Sequence, residues 1–204
     1  MNTQLKQSID QALIDVKEGW CWPEKATAMA ELIIEVRPSI TVEIGIFGGR
    51  SLIPQALAIK SIDCGYIAGI DPWRMSASVE GETHGDNEAW WKDLDFVKIQ
   101  QDFMDHLWRL GLEKDCIVIR SPAEACVQLF SPRSIDILHI DGNHSEEVSC
   151  RDVNWWLPKI KNDGFIWFDD TNWDSTQKAL GILDKCCSVV KDVQSCRLYK
   201  FDKP

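Results

Sequence analysis

The chain contains no apolar run approaching the roughly 18–20 residues of a membrane-crossing helix, so no membrane partner is expected. Met1 to Asp10 are polar and lack the apolar stretch of a secretion signal, which makes the cytoplasm the expected compartment. Positive charge is scarce: 22 Lys and Arg stand against 32 Asp and Glu, a net charge of −10. Nucleic-acid backbones are bound by clustered basic groups, so no nucleic-acid partner is expected, whereas a small neutral or cationic ligand stays open. None of the eight cysteines forms a C-x-x-C pair, which argues against a zinc ribbon or a thioredoxin-like redox site and for buried, reduced thiols. There is no repeat, no low-complexity tract and no linker. With 45% hydrophobic and 26% charged residues, the 204 residues read as one folded domain, 1–204.

What is present is an alternation of apolar β-type runs with helical stretches. Strands are expected at 40–44, 66–70, 116–120, 135–140, 165–168, 188–191 and 197–201, and helices at 3–17, 23–36, 51–60, 88–111, 122–129, 145–157 and 175–186. Continuous apolar strands separated by helices predict an α/β fold: a mostly parallel, doubly wound sheet of seven strands with helices on both faces. The short connection between the last two strands predicts a hairpin, hence a terminal antiparallel strand. Residues 1–38 read as an N-terminal helical cap. Residues 72–111 are long for a strand–helix connection, carry Trp90, Trp91, Phe96, Phe103 and Trp108, and read as a lid and acceptor insert. The tryptophan-rich insert and N-terminus are candidates for a homo-oligomer interface.

Two clusters carry chemistry. The first is Glu43-Ile44-Gly45-Ile46-Phe47-Gly48-Gly49-Arg50-Ser51, a glycine bend between a strand and a helix. Such a bend lets the backbone approach a nucleotide cofactor, although the spacing departs from the G-x-G-x-x-G of dinucleotide enzymes. The next strand ends in Asp71, 22 residues beyond Gly49, where an acid suits a ribose diol. The second cluster lies at the ends of the fourth and fifth strands: Asp141-Gly142-Asn143-His144 and Asp169-Asp170. Parallel strands bring these ends to one edge of the sheet. Three carboxylates there repel one another, and a divalent cation would remove that penalty. An all-oxygen set favours Mg²⁺ or another hard divalent cation. Asp141 and Asp169 also suit helix N-caps.

The Glu-x-Gly-x-x-Gly-Gly bend with Asp71 resembles the first motifs of class I S-adenosylmethionine-dependent methyltransferases, a Rossmann-like fold. Asp-Gly-x-His, a following helix with Asp152 and a tryptophan, and then Gly-x-Ile-x-x-Asp-Asp resemble the metal-dependent O-methyltransferases, in particular the branch acting on sugar and other small-molecule hydroxyls. The resemblance covers roughly residues 41–171. It implies S-adenosylmethionine as donor, with Glu43, Gly45, Ile46, Phe47, Gly49, Ser51, Asp71, Trp73, Ser121, Ala123 and Asp141 as donor-binding residues. Within that set Trp73 is expected to pack on the adenosine. It further implies Mg²⁺ on Asp141, Asp169 and Asp170, with His144 as general base and Asp141 beside it in catalysis. A histidine, with an ordinary pKa of about 6.5, suits that role near neutral pH. The expected partner is a small-molecule hydroxyl acceptor. The alternatives are a metal-independent small-molecule methyltransferase, a non-catalytic S-adenosylmethionine-binding protein and, against the glycine spacing, an NAD-linked oxidoreductase. His139 reads as a core histidine; His84, in the insert, reads equally as a surface residue or one reaching the acceptor.

Overall fold

Local signals in the sequence start several of the helices. In the computed structural model, which describes residues 1–81 and 85–202 (side chains of 85–88 excepted), helix α1 (Thr3–Asp15) begins where the Asn2 side chain accepts a hydrogen bond from Leu5 N at 2.8 Å. Helix α2 (Pro23–Val36) has proline in its first position and ends on Arg37 in the left-handed region. Then follow β1 (Ile40–Ile44), α3 (Leu52–Ile62), β2 (Tyr66–Ile70) and, in the insert, α4 (Met75–Ser78), α5 (Gly85–Lys92) and α6 (Phe96–Arg109). The chain continues through β3 (Cys116–Ile119), α7 (Ala123–Cys126), β4 (Ile135–Ile140), α8 (Glu146–Trp156), β5 (Ile160–Phe168), α9 (Gln177–Leu183), β6 (Cys187–Val193) and β7 (Cys196–Phe201).

The seven strands form one sheet in the order β3-β2-β1-β4-β5-β7-β6. β3, β2, β1, β4 and β5 are parallel, and β7 runs antiparallel to both neighbours, so the reversed strand lies one place in from the edge. Helices α1, α2, α3 and α6 contribute to one core cluster, and α7, α8 and α9 to the other. This is the Rossmann-like, doubly wound architecture anticipated from the apolar runs.

One predicted helix, 88–111, is two. Asp95 interrupts it and caps α6, accepting from Lys98 N at 3.0 Å. The strand register sets up the site. Ile44 pairs with Ile70 and Ile140, and Ile140 with Phe168, so β1, β2, β4 and β5 end level with one another. Bonds from Gly45 N to Ile70 O (2.9 Å), Asp141 N to Ile44 O (2.9 Å) and Asp169 N to Ile140 O (3.1 Å) tie the first residue past each tip to its neighbour. Strand order reverses between β1 and β4, the place where open α/β sheets hold ligands.

Candidate active site

At that reversal point lies a cavity of about 580 Å³, within the range of small-molecule sites. Its wall runs from Gly45, Ile46, Phe47 and Ser51 to Asp141, His144, Asp169 and Asp170, with Asp71 and Ala123 also on it. The two clusters that sequence spacing singled out thus share one space.

The glycine bend is built around close packing. Gly45 has φ +88°, and a Cβ there would lie 1.9 Å from Asp141 O. Gly49 has φ +82°, and its Cβ would meet the Phe103 ring at 2.3 Å. Gly45 therefore lets the β4 tip approach, while Gly49 faces protein and does not reach the cavity wall. Asp71 braces the bend: Oδ2 accepts from Ile46 N and Phe47 N, both at 2.9 Å, and Oδ1 from Trp73 N at 2.6 Å. A carboxylate has about four lone-pair positions, so Oδ1 retains one for a ligand hydroxyl. Burial raises the Asp71 pKa, opposed by those three amides.

Besides Gly49, three expected donor contacts take other places. Glu43 faces α3, because side chains alternate along a strand. It is fully buried, accepting from Ser51 Oγ at 2.7 Å and Gln55 Nε2 at 2.5 Å, and it orders the first turn of α3 without touching the cavity. Trp73 does not pack on an adenosine position: it is buried with φ +43°, donates Nε1–H to Phe47 O at 2.9 Å and packs on Phe103 with ring centroids 5.8 Å apart. Ser121 is off the wall, which is reached there by Pro122, Ala123 and Glu124. His84 lies outside the described residues.

At the acid end, Asp141, Asp169 and Asp170 converge as the parallel tips require, and two of them meet a lysine. Lys25, from the first turn of α2, places Nζ 3.3 Å from Asp141 Oδ2 and in direct contact with Asp169 Oδ2. Asp169 Oδ1 accepts from Asp170 N at 3.0 Å. His144 Nε2 stands 3.0 Å from Asp170 Oδ2 and 3.8 Å from Asp141 Oδ1. Burial works to raise the Asp141 pKa, but Lys25, then His139 and His144, outweigh it and hold the carboxyl below its usual range. For Asp170 burial prevails over His144, and the pKa is raised. Lys25 is held above the ordinary lysine range: burial opposes the ammonium most, and Asp141, Cys196, Cys21 and Glu43 together outweigh it. Behind them, His139 is fully buried, its Nδ1 3.1 Å from Glu43 Oε2 but off the line of a hydrogen bond, and its Nε2 3.6 Å from Asp169 Oδ2. His139, Asp169 and Cys196 place one ligand atom each within 4.8 Å of one another. That mixed nitrogen, oxygen and sulfur set does not suit a hard cation, and the Lys25 ammonium already touches its carboxylate. As arranged, two of the six acid oxygens, Asp141 Oδ2 and Asp169 Oδ2, lie against the Lys25 ammonium.

Sequence reasoning passed over Lys25, Arg50 and Asn143, and noted Asp152 only as part of a pattern. Lys25 had a signal: a cation in a first helical turn opposes the helix dipole and needs anions nearby. Arg50 donates to Cys21 O and Leu13 O at 2.9 and 2.8 Å and also bonds Val16 O, tying the N-terminal segment to the bend. That segment and α5 meet over Phe47: Trp20 stacks on Phe47 at 5.6 Å and touches Trp90 at 5.1 Å. Asn143 Nδ2 donates to Ala77 O, Ser78 O and Glu80 O at 2.9–3.0 Å, fastening the insert to the loop that carries His144.

Asp152, on the cavity wall, is buried with Oδ1 unpartnered, and burial pushes its pKa up to about 7 against the pull of Arg151. A raised carboxyl pKa means the folded state holds the proton more tightly than the unfolded chain. The associated stability is whole below the unfolded value and is lost as pH climbs through 7. Asp152→Asn, which mimics the protonated form, is therefore expected to stabilise the protein more at pH 8 than at pH 5, by about 2–3 kcal/mol. Urea unfolding at the two pH values checks this; an equal effect at both would remove the buried ionisation.

A family profile described as a methyltransferase domain matches residues 42–171. An uncharacterized protein of Acanthamoeba polyphaga mimivirus is 27% identical over 165 residues, covering 79% of this chain and 64% of that protein, so the chain spans less than two thirds of that curated relative's length. Among solved structures, the O-methyltransferase TomG from Streptomyces achromogenes, involved in tomaymycin synthesis and bound to SAM, superposes with TM-score 0.66 at 13% identity, covering 100% of this chain and 92% of that one. The O-methyltransferase from Bacillus cereus in complex with SAH gives TM-score 0.65 at 14% identity with the same coverage. At such identities the likeness establishes the fold.

Proposed function

This chain belongs to the methyltransferase-domain family, and on that footing we propose that it moves a methyl group from S-adenosylmethionine to a hydroxyl of a small molecule, with His144 as general base. The observation carrying this reading is that one cavity joins the glycine bend at Gly45–Phe47 to His144, flanked by Asp141 and Asp170. The donor supplies an electrophilic methyl group on a sulfonium. Ile46, Phe47 and the free lone pair of Asp71 Oδ1 would hold its ribose, and Ala123 would face its adenine.

An alcohol attacks poorly while protonated. His144 would take the hydroxyl proton at Nδ1, and Asp170 and Asp141, which face Nε2, would stabilise the imidazolium that forms, as a buried carboxylate does at the opposite ring nitrogen of other catalytic histidines. Holding acceptor oxygen and methyl carbon in line supplies up to about 7–11 kcal/mol of the rate enhancement. The rings of Trp20, Phe47, Trp90 and Trp91 at the cavity mouth would exclude water and stack on an acceptor with a flat or apolar face. No step here runs through a divalent cation.

The test is calorimetric titration with S-adenosylmethionine and with NAD, followed by incubation with a panel of sugar, phenol and natural-product hydroxyls under mass spectrometry. Expected are binding of the adenosyl donor alone and an acceptor methylated on oxygen. Binding of NAD, or methylation on nitrogen only, would reject the reading. A bound donor with no methylated product across the panel would favour the non-catalytic alternative.

A further inference from the structure

We propose that the Lys25 ammonium replaces a divalent cation as the counter-charge of the acid cluster, so that methyl transfer by this protein is metal-independent. The proposal rests on the site assignment above, yet its geometry stands without it.

Lys25 is almost fully buried, its side chain 5% exposed. It comes from the α2 face of the sheet and meets the acids from behind, since it is not on the cavity wall. Its Nζ lies between the tips of two adjacent strands, 3.3 Å from Asp141 Oδ2 and touching Asp169 Oδ2. Asp169 Oδ2 is held by the ammonium, and Oδ1 accepts from Asp170 N and keeps one lone pair, so a metal ion could take Asp169 only through that single position. Of the remaining oxygens in the trio, Asp141 Oδ1 and Asp170 Oδ2 both face His144 Nε2. A Mg²⁺ ion needs oxygens at about 2.0–2.1 Å in near-octahedral order. Here it would have to push aside a buried ammonium, an imidazole or both, against like charge in a medium of low dielectric. The local sequence agrees: a lysine in a first helical turn is disfavoured by the helix dipole, and the two carboxylates are what it meets there.

Lys25 is therefore a positioning residue. It does not touch the reacting atoms; it lets Asp141 and Asp169 stand side by side and fixes Asp141 beside the base. A general stabilising role would not change what the acids bind, whereas a stand-in cation, once removed, leaves a vacant anionic pocket.

The test uses Mn²⁺ as probe, with its free-ion paramagnetic resonance signal as readout and no turnover required. Wild-type protein is expected to leave the signal unchanged at sub-millimolar Mn²⁺. Lys25→Gln is expected to take up about one Mn²⁺ per chain, with affinity raised on the order of 10–100-fold. In the methylation assay, wild-type rates should stay within about twofold in EDTA, while Lys25→Gln loses activity that Mg²⁺ or Mn²⁺ partly restores. Should Lys25→Gln fail to fold, Lys25→Met keeps the packed stem and serves in its place. Stoichiometric Mn²⁺ binding by the wild type, EDTA-sensitive wild-type turnover, or a folded Lys25 variant that still ignores Mn²⁺ would each overturn the proposal. A protein without methyltransferase activity would still be decided by the Mn²⁺ arm.

Discussion

Replacing His144 with glutamine is expected to slow methyl transfer by about 10²–10⁴-fold while leaving donor affinity within about twofold. The size follows from the role. His144 lies on the cavity wall, 3.0 Å from Asp170 and 3.8 Å from Asp141. Glutamine keeps polarity and approximate length but cannot accept the proton, so the hydroxyl must ionise unaided. The donor contacts proposed at Ile46, Phe47 and Asp71 lie on the bend and should not sense the change. Single-turnover rates beside a calorimetric donor titration separate the two effects. A variant with undiminished single-turnover rate would show that the proton leaves by another route.

The second large effect concerns Gly45. Gly45→Ala combines a steric clash and a backbone penalty: the new Cβ would lie 1.9 Å from Asp141 O and 2.6 Å from Asp141 C, at a φ of +88° that alanine rarely adopts. Strain of that kind is worth about 1–3 kcal/mol and forced displacement of packed backbone about as much again, so a loss of roughly 3–6 kcal/mol is expected, near the whole stability of many domains. Relief is available only by moving the β1 or β4 tip, which displaces Asp141, so any folded fraction should also bind the donor poorly. Gly181→Ala is the matched control. It lies inside α9 with nothing within 4 Å of its Cβ position and should gain about 0.5–1 kcal/mol. Thermal melts of both variants check this; equal melting temperatures would mean that the bend tolerates a side chain.

The contrast between those glycines marks what the sequence makes legible. Strands show because buried parallel strands are continuous apolar runs, and acids just past Ile70, Ile140 and Phe168 stand out against them. Parallel pairing then brings those acids to one edge, so the cavity's two ends were readable before any coordinate. Side-chain direction and long-range partners were not. Glu43 reads as a ligand-facing acid until strand alternation turns it toward Ser51 and Gln55. Trp73 reads as an adenosine platform until its positive φ and its bond to Phe47 O turn the ring onto Phe103. Lys25 lies 116 residues from Asp141, and no local pattern connects them. The same distance hides that two of the three acids share one ammonium.

Asn143 has a consequence for which acceptors can be accommodated. Its one amide group gathers the carbonyls of Ala77, Ser78 and Glu80, and it sits next to the base in the chain. Pocket wall and base are thereby fastened as a single piece. A bulky guest that shoulders this part of the insert outward drags the imidazole with it, so steric breadth and proton-transfer alignment trade against each other. Variants meant to admit larger acceptors should open the mouth at Trp20 or Trp90 and leave the 77–80 stretch alone.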